Sequence, residues 1–188
     1  MRKLLTVLCV FQATTAAAAD CDRACLRGFV TQYLDAVVAH RAAGLPLAPG
    51  FKYIEDELET KTTEGVWTEV TRLRPYRIDI LDARQGVAVT LTVVDAGNSR
   101  VMLAALLKVV DRRIARIETM VTHNRTEGVL FDVFSLETPS TPMTTAVPVT
   151  ERTPREDAVR IAQLYPAGLK IGSFVSVDVP FAPEAYRF

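Results

Sequence analysis

The sequence predicts an α+β domain in which one long helix lies on an antiparallel sheet. Three observations carry this prediction. Between residues 22 and 43 the apolar side chains Leu26, Phe29, Val30, Tyr33, Leu34, Val37 and Val38 recur at three- and four-residue steps, the period of a helix with one buried face. From Tyr76 onward the apolar period changes to two, as in strands with alternating faces. The connectors between those strands are hairpin-sized and rich in turn residues, such as Asp95-Ala96-Gly97-Asn98-Ser99.

The elements follow in chain order. Met1-Arg2-Lys3 is a short basic start, residues 4–11 are an apolar run, and Ala16-Ala17-Ala18-Ala19 offers a small-residue cleavage site. This is the three-part pattern of a secretory signal peptide over residues 1–19, with Asp20 the expected first mature residue and a periplasmic or secreted location. No later apolar run has the length of a membrane span. Removing the signal removes Cys9 and leaves Cys21 and Cys25. In an oxidising compartment this pair can close a disulfide if Cys21 lies just outside the first helical turn. A metal site is the rival reading, although no His accompanies the two thiols.

The helix is expected over residues 22–43, ended by Gly44 and Pro46. Phe51 to Glu55 can form a short strand, and Glu64-Gly65-Val66-Trp67 is a turn that delivers the only Trp of the chain. Pro75 breaks whatever precedes it. Four strands are then expected at residues 77–81, 87–94, 100–110 and 113–122, forming an antiparallel meander, because parallel neighbours need long crossovers. Residues 136–154, with Pro139, Pro142, Pro148 and Pro154, read as a Pro/Thr-rich linker.

A second helix begins near Arg155, and Pro166 and Gly168 are expected to interrupt it. This back segment echoes the front of the chain. Tyr33 is followed by Leu45-Pro46-Leu47-Ala48-Pro49 and then Lys52-Tyr53; Tyr165 is followed by Val179-Pro180-Phe181-Ala182-Pro183 and then Tyr186-Arg187. Residues 20–135 therefore form the expected domain, and residues 155–188 the start of a second, related and incomplete segment.

In order, Cys25, Tyr33-Leu34-Asp35-Ala36, His40, Leu45-Pro46-Leu47-Ala48, Gly65-Val66-Trp67 and Arg113-Ile114-Ala115-Arg116-Ile117-Glu118-Thr119 resemble an uncharacterised family of secreted SnoaL-like proteins. That family belongs to the nuclear transport factor 2-like superfamily. The resemblance spans residues 21–121. It implies a cone: a curved sheet wrapped around the helix, with a ligand pocket at its open end. Enzymes of this type place acid–base groups in apolar cavities, where low polarity makes a carboxylate a stronger base.

His40 is a candidate acid–base group because imidazole titrates near neutral pH; the alternative is a histidine satisfying carbonyls at the helix C-terminus. Glu118 is the carboxylate that would join it if its strand face is concave; the alternative is an ion pair with Arg116. Tyr33, Tyr53 and Trp67 are the expected pocket walls, or equally core. Asp35 and the Glu55-Asp56-Glu57 cluster read as solvated, and His123 as an exposed strand end. Asn124-Arg125-Thr126 fits a glycosylation sequon.

The 22 basic and 22 acidic residues balance, which excludes the basic footprint of a nucleic-acid binder. No cofactor loop, nucleophile elbow or metal-ligand spacing is present, so neither cofactor nor metal is expected. The functional expectation is an exported small-molecule-binding domain. The alternatives are a cofactor-independent lyase or isomerase using His40 and Glu118, and a structural module forming a homodimer.

Overall fold

The computed structural model describes residues 21–122, 133–139 and 144–181. The signal-peptide pattern, His123, the sequon at Asn124, and the Tyr186-Arg187 end of the echo lie outside the described residues.

Helix α1 (Arg23–Val38) begins at Asp22, whose carboxylate accepts the Cys25 backbone N–H at 2.8 Å. Cys21 precedes this cap and is disulfide-bonded to Cys25, with Cα atoms 5.3 Å apart. Leu26, Phe29, Val30, Tyr33, Leu34 and Val37 are buried. A fully buried side chain of this kind contributes roughly 1.5–3 kcal/mol, so tertiary packing rather than helix propensity holds α1 in place. The helix stops earlier than the periodicity predicts. His40 adopts a left-handed backbone (φ 51°). The His40 N–H then bonds the Val37 carbonyl and the Arg41 N–H bonds the Ala36 carbonyl, each at 2.9 Å. This is a Schellman termination with His where Gly is usual, completed before Gly44 is reached.

Six strands follow: the four expected of the meander, the short strand read at Phe51 to Glu55, here longer, and one more. β1 (Leu47–Glu55) and β2 (Leu58–Glu59) form a hairpin through Asp56 and Glu57, both at positive φ, as a two-residue type I′ turn requires. A short helix, α2 (Val66–Glu69), leads into β3 (Val70–Asp82). The expected meander then appears as β3, β4 (Val87–Ala96), β5 (Ser99–Val110) and β6 (Arg113–Val121).

The sheet order is β2-β1-β6-β5-β4-β3. The sheet is mixed rather than wholly antiparallel, because β1 pairs with β6 in parallel. The intervening meander supplies the long connection that a parallel neighbour needs. Pro75 does not end a strand. It lies within β3, where the register with β4 shifts between Leu73 and Arg77. β3 is an edge strand, and an edge bulge tolerates a residue without an N–H.

α1 packs on β3, β4 and β5. Val101, Leu103, Ala105 and Leu107 of β5 and Ile114 and Ile117 of β6 meet it from the sheet's inner face. Tyr76 and Val93 face the other side, where Val133 and Leu136 cover them. This is the cone-shaped α+β plan that the resemblance implies.

Helix α3 (Arg155–Ile171) runs through Pro166 and Gly168 instead of being interrupted by them. It ends at Gly172 (φ 69°), whose left-handed backbone returns the chain toward Phe174. Tyr165 stacks on Phe174 with ring centroids 5.0 Å apart and meets Phe181 edge-on at 6.4 Å. A Cβ on Gly168 would lie 2.5 Å from the Phe174 ring, so the aromatic cluster requires glycine there. An ion pair between Arg155 and Asp82 joins the start of α3 to the end of β3.

Candidate functional site

Parallel pairing places Tyr53 beside Ile117 and Glu55 beside Thr119. Tyr53 and Glu55 are two residues apart on one strand, so they share the inner face. Glu55, read from sequence as solvated, is instead only 9% exposed. The Tyr53 hydroxyl donates to Glu55 Oε2 and lies 3.1 Å from Thr119 Oγ1. The Val66 backbone N–H, at the start of α2, donates to the same carboxylate at 3.1 Å from Oε2. Two donors therefore hold a buried carboxylate that would otherwise be costly to desolvate.

Gly65 permits this approach. A Cβ there would lie 1.9 Å from Glu55 Oε1, and the backbone φ of 55° with ψ of −130° is itself a glycine conformation. The carboxylate thus fixes α2, and α2 in turn carries Trp67 inward.

Trp67 meets Tyr33 edge-on at 5.7 Å and Tyr53 at 6.0 Å between ring centroids. Such edge-to-face pairs are favourable beyond simple burial. All three expected pocket walls converge here, and all three are closed to solvent, at 0% for Tyr33, 2% for Tyr53 and 1% for Trp67. Two of their polar atoms, though buried, have no hydrogen-bond partner among the described residues: the Tyr33 hydroxyl and the Trp67 indole Nε1. Burial raises the Tyr33 phenol well above the ordinary tyrosine range, and the nearby Glu55 charge adds to this. Burial also raises Tyr53, helped by Tyr33 and by its bond to Glu55. Both phenols therefore stay protonated and act as donors.

The two expected acid–base residues do not meet. His40 is exposed at the end of α1, and its Nδ1 lies 2.7 Å from the Trp67 carbonyl. Since the carbonyl accepts, Nδ1 carries the proton and the ring ties α1 to α2. Glu118 lies on the outer face, 39% exposed, paired with Arg116 at 2.7 Å. Its neighbours in the strand, Ile117 and Thr119, are the residues that face inward. Asp35 is solvated, as its helical position indicates. Glu55 and Thr119 are the residues that sequence reasoning missed. The signal for Glu55 was present in the alternation Phe51, Tyr53, Glu55, which puts the carboxylate on the face of Tyr53.

Among the described residues no cluster of three or more His, Cys, Asp or Glu could hold a metal ion. No described helix is long and apolar enough to cross a membrane.

Three solved structures are similar to this chain. A de novo designed protein with a curved β-sheet is 16% identical, with a TM-score of 0.42, covering 61% of this chain and 98% of its own. A steroid delta-isomerase from Pseudomonas aeruginosa is 14% identical, with a TM-score of 0.39, covering 58% of this chain and 88% of its own. AclR from Streptomyces galilaeus is 12% identical, with a TM-score of 0.42, covering 80% of this chain and 98% of its own. No curated protein matches the chain. The family described as a domain of unknown function (DUF8021) matches residues 19–121, more than half of the 188 residues, and the chain belongs to that family.

Proposed function

We propose that the chain is an exported small-molecule-binding domain of the SnoaL-like, nuclear transport factor 2-like type, holding its ligand where α1, α2, β1 and β6 converge on Glu55. One observation carries this reading. Two buried donors, the Tyr33 hydroxyl and the Trp67 indole N–H, lack acceptors among the described residues, in a cluster with a buried carboxylate. An unmade hydrogen bond on a buried group costs about 1–3 kcal/mol, and a ligand with an acceptor atom would recover it. The surrounding rings suit a small apolar or aromatic body. Entry requires α2 to move, because it closes the cluster through Glu55 and His40. The Cys21–Cys25 bond supports an oxidising compartment and hence export.

The test is native mass spectrometry of the protein purified from its secretion medium or periplasm. The expected result is an added small-molecule mass on the wild type that is lost from Tyr33→Phe, with an intact chain mass beginning at Asp20. A wild type free of any bound mass, with Trp67 fluorescence indifferent to added aromatic ligands, would sink the reading.

A second reading is a cofactor-independent lyase or isomerase, favoured by the buried Tyr53–Glu55 proton donor–acceptor pair. In it Glu55 replaces the expected Glu118 and Tyr53 replaces His40. Turnover that survives Glu55→Gln would exclude it. A homodimer through the outer sheet face is supported by Ile80 and Met120, exposed at 60% and 69%. Sedimentation of Met120→Lys against wild type would reveal it by a loss of the dimer.

A further inference from the structure

On the outer face, opposite the one that carries Glu55, three arginines of the sheet surround one aspartate. Strand register places Arg72 and Arg100 on either side of Asp95. The bulge around Pro75 adds Arg74. Arg72 Nε donates to Asp95 Oδ2 at 2.8 Å and Arg74 Nε to Oδ1 at 2.9 Å, while the Nη2 atoms of both lie 2.8 Å from Oδ2. Arg100 Nε stands 4.0 Å from Oδ1, beyond hydrogen-bond reach, and is buried without a hydrogen-bond partner among the described residues. The Arg100 guanidinium lies 5.0 Å from the centroid of the Phe134 ring, which is 60% exposed.

The charges do not balance. Three guanidinium groups face one carboxylate, an excess of two positive charges. Desolvation pushes the Asp95 carboxyl up, but Arg74 and Arg72 outweigh it and hold the group below the usual carboxylate range. Asp95 therefore stays charged and saturated by two arginines, and the third is left over. A buried guanidinium N–H without an acceptor is costly, and an incoming oxyanion would satisfy it. Phe134 offers an apolar face beside that position, already engaged by the cation.

We propose that Arg72, Arg74 and Arg100, with Phe134 stacked on Arg100, form a binding site for the oxyanion group of a small organic anion carrying a flat apolar body. The inference is independent of the Glu55 reading, since the two clusters lie on opposite faces of the sheet. Guanidinium forks match carboxylate and phosphate geometry in two-point fashion. Asp95 holds the Arg72 and Arg74 forks, and strand register sets Arg100 beside the same carboxylate.

Calorimetric titration of the full chain with benzoate and with inorganic phosphate, at low ionic strength, tests the site. Saturable binding of benzoate is expected, weakened about tenfold or more in Arg100→Gln and in Arg72→Gln, and weakened by added salt. Arg72 is 63% exposed, so its substitution leaves the fold intact, and a thermal melt checks this. Phe134→Leu should weaken benzoate and leave phosphate unchanged. Phosphate binding as tight as benzoate would retain the oxyanion site and overturn the apolar half of the proposal. Failure of both probes to saturate, or equal binding by wild type and Arg72→Gln, would overturn the site itself.

Discussion

The front and back helices carry the same kind of tyrosine and meet opposite fates. Tyr33 on α1 is wholly buried against Trp67, under a sheet. Tyr165 on α3 is 36% exposed and, among the described residues, meets the rings of Phe174 and Phe181, from its own segment. Leu169 and Ile171 of α3 stay 56% and 57% exposed, whereas every apolar position on the inner stripe of α1 is covered. The sequence pattern that makes a helix amphipathic does not decide whether its stripe is buried. That depends on a partner surface, and α1 has the inner faces of β3 to β5.

Substitutions can break this contrast, and the largest effects should come from the front. Trp67→Ala should cost about 3–5 kcal/mol in chemical denaturation, because it empties the contact shared by two tyrosines. Little loss would mean that the aromatic cluster is loosely packed. Gly65→Ala should cost at least about 2 kcal/mol, since the new methyl enters the Glu55 carboxylate from a backbone conformation that L-residues avoid. The same melt after Cys25→Ser should show a loss of at most about 2 kcal/mol, because the closed loop is short.

The smallest effect should come from the back. Tyr165→Ala should change stability by less than about 1 kcal/mol and leave Trp67 fluorescence untouched, as its ring is partly solvated already. A larger loss would show that α3 is held by the domain more firmly than the ion pair of Arg155 to Asp82 indicates.

Alkaline titration sharpens the comparison from a different direction. Tyr33 and Tyr53 have raised phenol pKa values in the folded chain, from burial above all. The sign follows from linkage: their stabilising contribution is complete below the unfolded tyrosine value of about 10 and is lost progressively as the pH rises beyond it. Tyrosinate absorbance should therefore show Tyr33 and Tyr53 ionising only together with unfolding. Ionisation of either before the chain unfolds would contradict the closed cluster.

Much of the fold was legible because local pattern and local structure coincide in it. The α1 stripe, the Cys21–Cys25 staple and the β3–β6 meander depend on residues near one another in sequence. The rest depends on distant pairing. Nothing within residues 47–55 announces that β1 will lie parallel to β6, so a six-stranded mixed sheet could not be read from it. For the same reason Glu55 looked like one of three adjacent surface acids: its burial is created by Thr119, Val66 and Gly65, none of them its neighbour in the chain. The helix end was misjudged because His40 takes a backbone state that usually signals glycine. Tyr33, Tyr53 and Trp67 were read from sequence as pocket walls or equally core, and the structure brings their three rings together, buried.

The parallel seam between β1 and β6 has a consequence for how the molecule assembles. Tyr53 must wait for Ile117, which follows it only after the whole meander has been made. Hairpins close quickly, but a junction spanning so much chain carries the greater loop-closure entropy and forms late. Glu55 and its companions therefore come together in the final act of folding, and a nascent chain halted before β6 would hold the scaffold's first strands without any centre at all.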